Sequence, residues 1–125
     1  MNDTAKTVLI VDDSKIVRKV SRRIFEGLQF VASEAEDGAQ ALEVCKKGYP
    51  FLIMLDWHMP VMDGLQFLKE LRALEGGDQP VVIFCTTETE FGRIQEAIMA
   101  GANEYVMKPF DEDIIRGKLE QLGIL

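Results

Sequence analysis

The sequence predicts an α/β domain of the (βα)5 kind, a doubly wound sheet of five parallel strands with helices on both faces. Three observations predict it. Short apolar runs alternate with segments of helical period along all 125 residues. Several of those runs are apolar on both faces, which suits strands covered on both sides rather than strands with one wet side. Nothing that reads as a linker, repeat or low-complexity tract interrupts the alternation, and the length fits one domain. Each crossover between parallel strands is expected to be right-handed.

The elements follow in order. TVLIV, Thr7–Val11, is the first strand, and Val17, Val20, Ile24 and Leu28 then recur at helical spacing. FVASEA, Phe30–Ala35, is a weaker strand. Asp37-Gly38-Ala39-Gln40 resembles a capping box that opens a helix with Ala41, Leu42 and Cys45 on one face. FLIML, Phe51–Leu55, is a strand apolar on both faces. Asp63-Gly64-Leu65-Gln66 offers a second capping box, followed by a helix face of Phe67, Leu68, Leu71 and Leu74 that EGGD terminates. VVIFC, Val81–Cys85, is the fourth strand. Thr87 and Glu90 are placed to cap the next helix, which buries Ile94, Ala97 and Ile98 and ends at Gly101. EYVM, Glu104–Met107, is the fifth strand, and the last helix runs from about Asp111 to Leu122 with Ile115, Leu119 and Leu122 inward. The expected core is about 6–122.

Composition removes several classes of function. Lys plus Arg is 14 against 21 for Asp plus Glu, a net charge of −7, which opposes direct nucleic-acid binding and adsorption to anionic membranes. No apolar run approaches the ~18 residues of a membrane span, and the polar start MNDTAK lacks the apolar core of a secretory signal. A cytoplasmic protein is the expectation. Cys45 and Cys85 both lie in apolar patterns, as buried reduced thiols do, and a single histidine, His58, rules out a His/Cys metal cluster.

In open sheets of this kind ligands bind at the carboxyl ends of the strands. Strand 1 ends in Asp12-Asp13, strand 3 in Asp56, strand 4 in Thr86 and strand 5 in Lys108-Pro109. Three carboxylates, a hydroxyl and an ammonium thus converge on one edge from four strands. Close carboxylates repel one another unless some protonate or a cation joins them. An all-oxygen set suits a hard ion, and Mg²⁺ takes one or two carboxylates while leaving room for phosphoryl oxygens. Asp56 then makes sense as a nucleophile that forms an acyl phosphate. Lys108 and the metal would neutralise charge on the transferring group, with the Thr86 hydroxyl as a hydrogen-bond donor.

Asp12-Asp13, the block LDWHMPVMDG around Asp56, Thr86, and YVMKPF from Tyr105 to Phe110 together resemble the response-regulator receiver domains, the CheY-like family. The resemblance spans nearly the whole chain. It implies the flavodoxin-like strand order 2-1-3-4-5. It implies Asp56 as phosphoacceptor; Mg²⁺, or Mn²⁺ in its place, organised by Asp12, Asp13, Asp56 and the backbone carbonyl of His58; and Lys108 on the phosphoryl group. Lys108-Pro109 is expected to be cis. Thr86 and Tyr105 look like a switch pair that alters the face made by helix 4, strand 5 and helix 5. The implied partners are a histidine kinase or phosphotransferase as donor and a downstream protein target.

Other readings stand beside these. Asp12 and Asp13 also suit a helix N-terminus, Asp63 reads as a cap, and Gly64 and Pro60 as turn chemistry. Thr86 could be a plain strand-end hydroxyl and Tyr105 plain core. Trp57 reads as a partly exposed neighbour. Arg18, Lys19, Arg22 and Arg23 read as a solvated helix face, although donors in this family commonly dock near helix 1. His58 reads as solvent-facing, while Thr87 stands where the family often has alanine and Glu88 lies two residues beyond Thr86. Among competing functions, a haloacid-dehalogenase-type phosphohydrolase wants an acid where His58 stands. A flavin carrier wants a glycine- and hydroxyl-rich loop where VDDSKIVRK stands. A receiver unable to take phosphate would lack some of the residues named above. With no output domain expected after KLEQLGIL, output by protein binding is anticipated, of chemotaxis type first and as a phosphorelay intermediate or other stand-alone regulator next.

Overall fold

A computed structural model of the chain describes residues 6–87 and 92–125. Its elements are β1 (Thr7–Val11), α1 (Lys15–Gly27), β2 (Val31–Ala35), α2 (Gly38–Lys47), β3 (Leu52–Asp56), α3 (Gly64–Ala73), β4 (Val81–Thr86), α4 (Ile94–Met99), β5 (Glu104–Met107) and α5 (Glu112–Gln121). The five strands form one parallel sheet in the order β2-β1-β3-β4-β5.

Side chains alternate across a strand, so each face of the sheet collects every second residue. Leu9, Val11, Ile53, Leu55, Val82 and Phe84 meet α2, α3 and α4 through residues such as Leu42, Phe67, Leu68 and Ala97. Val8, Ile10, Leu52, Met54, Ile83 and Val106 meet α1 and α5 through Ile24, Phe25, Ile115 and Leu119. The central strands β1 and β3 are buried on both faces, which is why their sequences show no polar alternation.

Four helices begin with a side-chain cap. Ser14 accepts from the Val17 amide at 3.2 Å, Asp37 from Gln40 at 2.8 Å, Asp63 from Gln66 at 2.8 Å and Asp111 from Ile114 at 2.9 Å. In the Asp37 box the Gln40 side chain reaches one residue past the N-cap, accepting from the Glu36 amide at 3.0 Å. The Asp63 box forms only half: the Gln66 side chain donates to Glu70 instead. The expected Thr87/Glu90 cap reaches into residues outside the described ones, as do Glu88 and Phe91. Arg93 stands at the N-cap position of α4 and makes no side-chain cap.

The structure corrects the expected inward faces in three places. The buried stripe of α1 is Arg18, Ser21, Ile24, Phe25 and Leu28, so Val20 is exposed. Arg18 therefore leaves the solvated face and turns inward to partners on β1 and β2. Ile98 is exposed, because the short α4 presents Ala97 to the core instead. β3 is displaced by one residue: Phe51 is exposed before it, and Asp56 belongs to it.

Candidate functional site

The carboxyl edge of the sheet holds the predicted cluster. Asp12 and Asp13 follow β1 directly, Asp56 is the last residue of β3, and Lys108 follows β5 by one residue. Carboxylate oxygens of Asp12, Asp13 and Asp56 lie within 4.8 Å of one another. Lys108 Nζ donates to Asp12 Oδ2 at 2.9 Å and to Asp56 Oδ1 at 2.8 Å. Asp12 and Asp56 are buried and Asp13 is exposed, so the cluster opens to solvent through Asp13. The site stands where β1 separates from β3, with β2 on the other side of β1, which is the reversal point of the strand order.

Register explains which groups meet. Asp12 continues Val8 and Ile10, Asp56 continues Leu52 and Met54, and Lys108 continues Val106, all on the α1/α5 face of the sheet. Thr86 continues Val82 and Phe84 on the opposite face. Its fully buried hydroxyl donates to the Thr87 carbonyl at 3.2 Å, while its own carbonyl accepts from the Lys108 amide at 2.8 Å. The structure thus brings Asp12, Asp13, Asp56 and Lys108 together and places Thr86 one strand over with its hydroxyl turned away. Tyr105 pairs in register with Phe84, half-buried, with Lys118 Nζ 4.6 Å from its ring centroid. His58 is exposed in the loop after β3.

Backbone packing fixes the loops that carry these groups. The Gly64 amide donates to the Trp57 carbonyl at 2.8 Å, and a Cβ on Gly64 would stand 2.1 Å from the Asp56 carbonyl oxygen. Gly64 is therefore more than a turn residue, because any side chain would push the acceptor strand aside. Lys108-Pro109 is cis, as expected. Trp57 is buried rather than partly exposed: its ring tilts against Phe84 at 4.7 Å, and the Arg93 guanidinium covers it at 4.5 Å.

Electrostatics follow from burial and charge. Burial raises the Asp56 carboxyl above the ordinary range; the Lys108 bond pulls it down, and the charge of Asp12 raises it again. For Lys108 burial acts to lower the ammonium, but hydrogen bonds and attraction from Asp56 and Asp12 outweigh it and hold the group above its usual value. The lysine therefore stays charged and neutralises part of the acidic set. The remaining negative charge, the all-oxygen donors and the exposed flank at Asp13 fit a hard divalent cation.

Sequence reasoning missed Arg18. Its Nη1 donates to the Asp12 carbonyl at 2.7 Å and its Nε to Glu34 Oε1 at 2.9 Å. Only the polar residues of β2, read against a helix that carries a basic run, hint at this pairing in the sequence.

Comparison with known proteins supports the same picture. The family model of the response regulator receiver domain matches residues 8–120. The chemotaxis protein CheY of Halobacterium salinarum is 38% identical over 86% of this chain and 88% of its own length. Among solved structures, the chemotaxis response regulator CheY4 of Vibrio cholerae superposes with a TM-score of 0.87 at 30% identity, covering 94% of this chain and 98% of that one. The receiver domain of a sensor histidine kinase from Pseudomonas aeruginosa, with a magnesium ion coordinated in its active-site cleft, superposes with a TM-score of 0.85 at 26% identity, covering 94% and 96%. With a family match over most of its length, this chain belongs to the response regulator receiver domains.

Proposed function

We propose that the chain accepts a phosphoryl group on Asp56 from a phosphohistidine donor and thereby switches a protein-binding face. The observation that carries this reading is the meeting of three carboxylates and Lys108 at one sheet edge. An Asp56 carboxylate oxygen forms the new P–O bond as the P–N bond to the donor imidazole breaks, and the imidazole leaves with a proton. Asp12, Asp13, Asp56 and the His58 carbonyl would hold Mg²⁺, or Mn²⁺, which when bound offsets charge on the phosphoryl oxygens. Lys108, already charged and aimed at Asp56, supplies a second positive contact. The Thr86 hydroxyl is the donor that turns from Thr87 toward the new phosphoryl group, and Tyr105 follows into the space released.

The donor is a histidine kinase or phosphotransferase. A groove of about 300 Å³ supports its approach beside Lys108, lined by Ile16, Val20, Pro109 and Phe110, with Ile16 three-quarters exposed. The downstream target is a protein that reads α4, β5 and α5. Chemotaxis signalling is the first assignment, from the names of the relatives, and a phosphorelay step the second. In this role the chain turns over no metabolite. The test is incorporation of phosphate from acetyl phosphate with Mg²⁺. Wild type should form an acid-stable, hydroxylamine-sensitive adduct and Asp56→Asn should form none; equal labelling of both would move the acceptor elsewhere.

A further inference from the structure

We infer that Arg18 is a positioning residue for the acidic pair: by clamping the Asp12 carbonyl it sets the peptide that carries Asp13 and holds that carboxylate in place for a divalent cation. The inference rests on the reading of Asp12, Asp13 and Asp56 as a metal site.

Every polar atom of Asp12 is engaged. Its amide donates to the Ala35 carbonyl at 3.1 Å, Oδ1 accepts from the Ser14 amide at 2.8 Å, Oδ2 accepts from Lys108 at 2.9 Å, and its carbonyl accepts from Arg18 at 2.7 Å. The Asp12 carbonyl shares a rigid plane with the Asp13 nitrogen and Cα, so fixing that oxygen fixes where the Asp13 Cα stands, the point from which its side chain leaves. β1 has ended at Val11 by this point, so regular strand pairing no longer sets the plane.

A neutral donor or a water would satisfy the same carbonyl. The fold instead buries a guanidinium, 8% exposed, which requires an acidic partner at Glu34. Glu34 is in turn bridged to Arg22 at 2.9 Å, and Arg22 to Glu26 at 3.0 Å. A charge-assisted bond is about twice as strong as a neutral one. That strength answers a specific stress: three neighbouring carboxylates push one another apart, and the turn after β1 is the part free to yield.

The experiment uses the full chain with Arg18→Met, Arg18→Lys and Glu34→Gln, titrated with MgCl₂ by calorimetry. Asp13 amide ¹⁵N shifts and phosphorylation by acetyl phosphate are followed in parallel. Loss of a group that orients a ligand weakens metal binding about 10- to 100-fold, so Arg18→Met should fall at about tenfold, Glu34→Gln should lose less, and Arg18→Lys should recover most of the affinity. The half-saturating Mg²⁺ for phosphorylation should rise in step while the rate at saturating Mg²⁺ stays near wild type, and the Asp13 amide should move in Arg18→Met. Wild-type Mg²⁺ affinity and an unmoved Asp13 amide in folded variants would reduce Arg18 to packing and overturn the inference. If Arg18→Met does not fold, Glu34→Gln and Arg18→Lys decide on the same two readouts. An Asp13→Asn control that binds Mg²⁺ as tightly as wild type would bring down the metal-site reading, and the inference with it.

Discussion

Replacing Lys108 with methionine separates the charge of the site from its shape. The ammonium sits 2.9 Å from one buried carboxylate and 2.8 Å from another. Two unit charges ~4 Å apart attract by about 4 kcal/mol at an effective dielectric of about 20, and burying the lysine cancels part of that. Removing one partner from a buried pair costs about 3–5 kcal/mol, because the other charge is left uncompensated. Protonation sets a ceiling on that loss. Neutralising an aspartate of ordinary pKa about 3.9 costs about 1.4 kcal/mol per pH unit, hence about 4 kcal/mol at pH 7 and about 1.5 kcal/mol at pH 5. The sign follows from the directions of shift. Burial and the Asp12 charge raise Asp56, and only Lys108 and a Trp57 backbone bond lower it, so the variant raises it further. A carboxyl raised in the folded state contributes stability that is complete below its unfolded pKa and lost as pH rises through the folded one. Lys108→Met should therefore be about 1.5 kcal/mol less stable than wild type at pH 5 and about 3–4 kcal/mol less stable at pH 7 in urea titrations without divalent metal. The variant should also bind Mg²⁺ more tightly, since a competing cation has gone, and each 1.4 kcal/mol of lost repulsion is about tenfold in Kd. A pH-independent deficit, or weaker Mg²⁺ binding, would refute the reasoning.

Other substitutions probe separate parts of the molecule. Thr86→Ala should still take phosphate from acetyl phosphate yet fail to raise partner affinity; full phosphorylation-dependent binding, measured by pull-down with beryllofluoride as mimic, would remove Thr86 from the switch. Arg72 donates to the carbonyls of Gly101, Gly77 and Pro80 and to the Asn103 side chain. Arg72→Met leaves the Gly77 and Pro80 carbonyls in buried surroundings at about 1–3 kcal/mol each, so it should cost about 3–4 kcal/mol in urea unfolding without changing Mg²⁺ affinity. Burial pushes the Cys45 thiol up to about 11 and the deeper Cys85 thiol higher still. Neither should react with a disulfide reagent at pH 8 until urea unfolds the chain, when both should; rapid reaction of the native protein would contradict the packing.

What the sequence revealed depended on how local the cause was. TVLIV and EYVM matched their strands to the residue: in the edge strand β5 only Val106 is buried, while in β1 two-faced burial writes an apolar run into the sequence itself. The acids and Lys108 were readable as strand ends for the same reason. Errors arose where a distant partner decided the outcome. The apolar period of α1 through Val17, Val20, Ile24 and Leu28 found the buried Ile24 and Leu28 but misplaced the N-terminal half of the stripe, where Arg18, held by Glu34 and the Asp12 carbonyl, is buried and Val20 is exposed. Trp57 is buried because it packs on Phe84 within the core, with Arg93, far along the chain, lying over its ring. Gly64 read as a turn residue, and its requirement for a bare Cα appeared only once the Asp56 carbonyl was found against it.

These contacts also bear on where the proposed phosphoryl signal would travel. The acids are braced from behind: Asp12 at all four polar atoms, and Asp56 by the Gly64 backbone pressed against its carbonyl. Their mutual repulsion is therefore relieved more readily by gaining positive charge, as a proton or a cation, than by moving apart. A rigid site passes a change in charge on to whichever neighbour is least tied down. Side-chain caps are worth about 1 kcal/mol each, and α1, α2, α3 and α5 all have one. α4 is the exception, a helix of six residues that opens without a side-chain cap and buries only Ala97. Its N-terminal Arg93 rests on Trp57, the residue directly after Asp56. On energetic grounds α4 is the element that a few kcal/mol of new interaction at Asp56 moves most cheaply, which is the property a switching face requires.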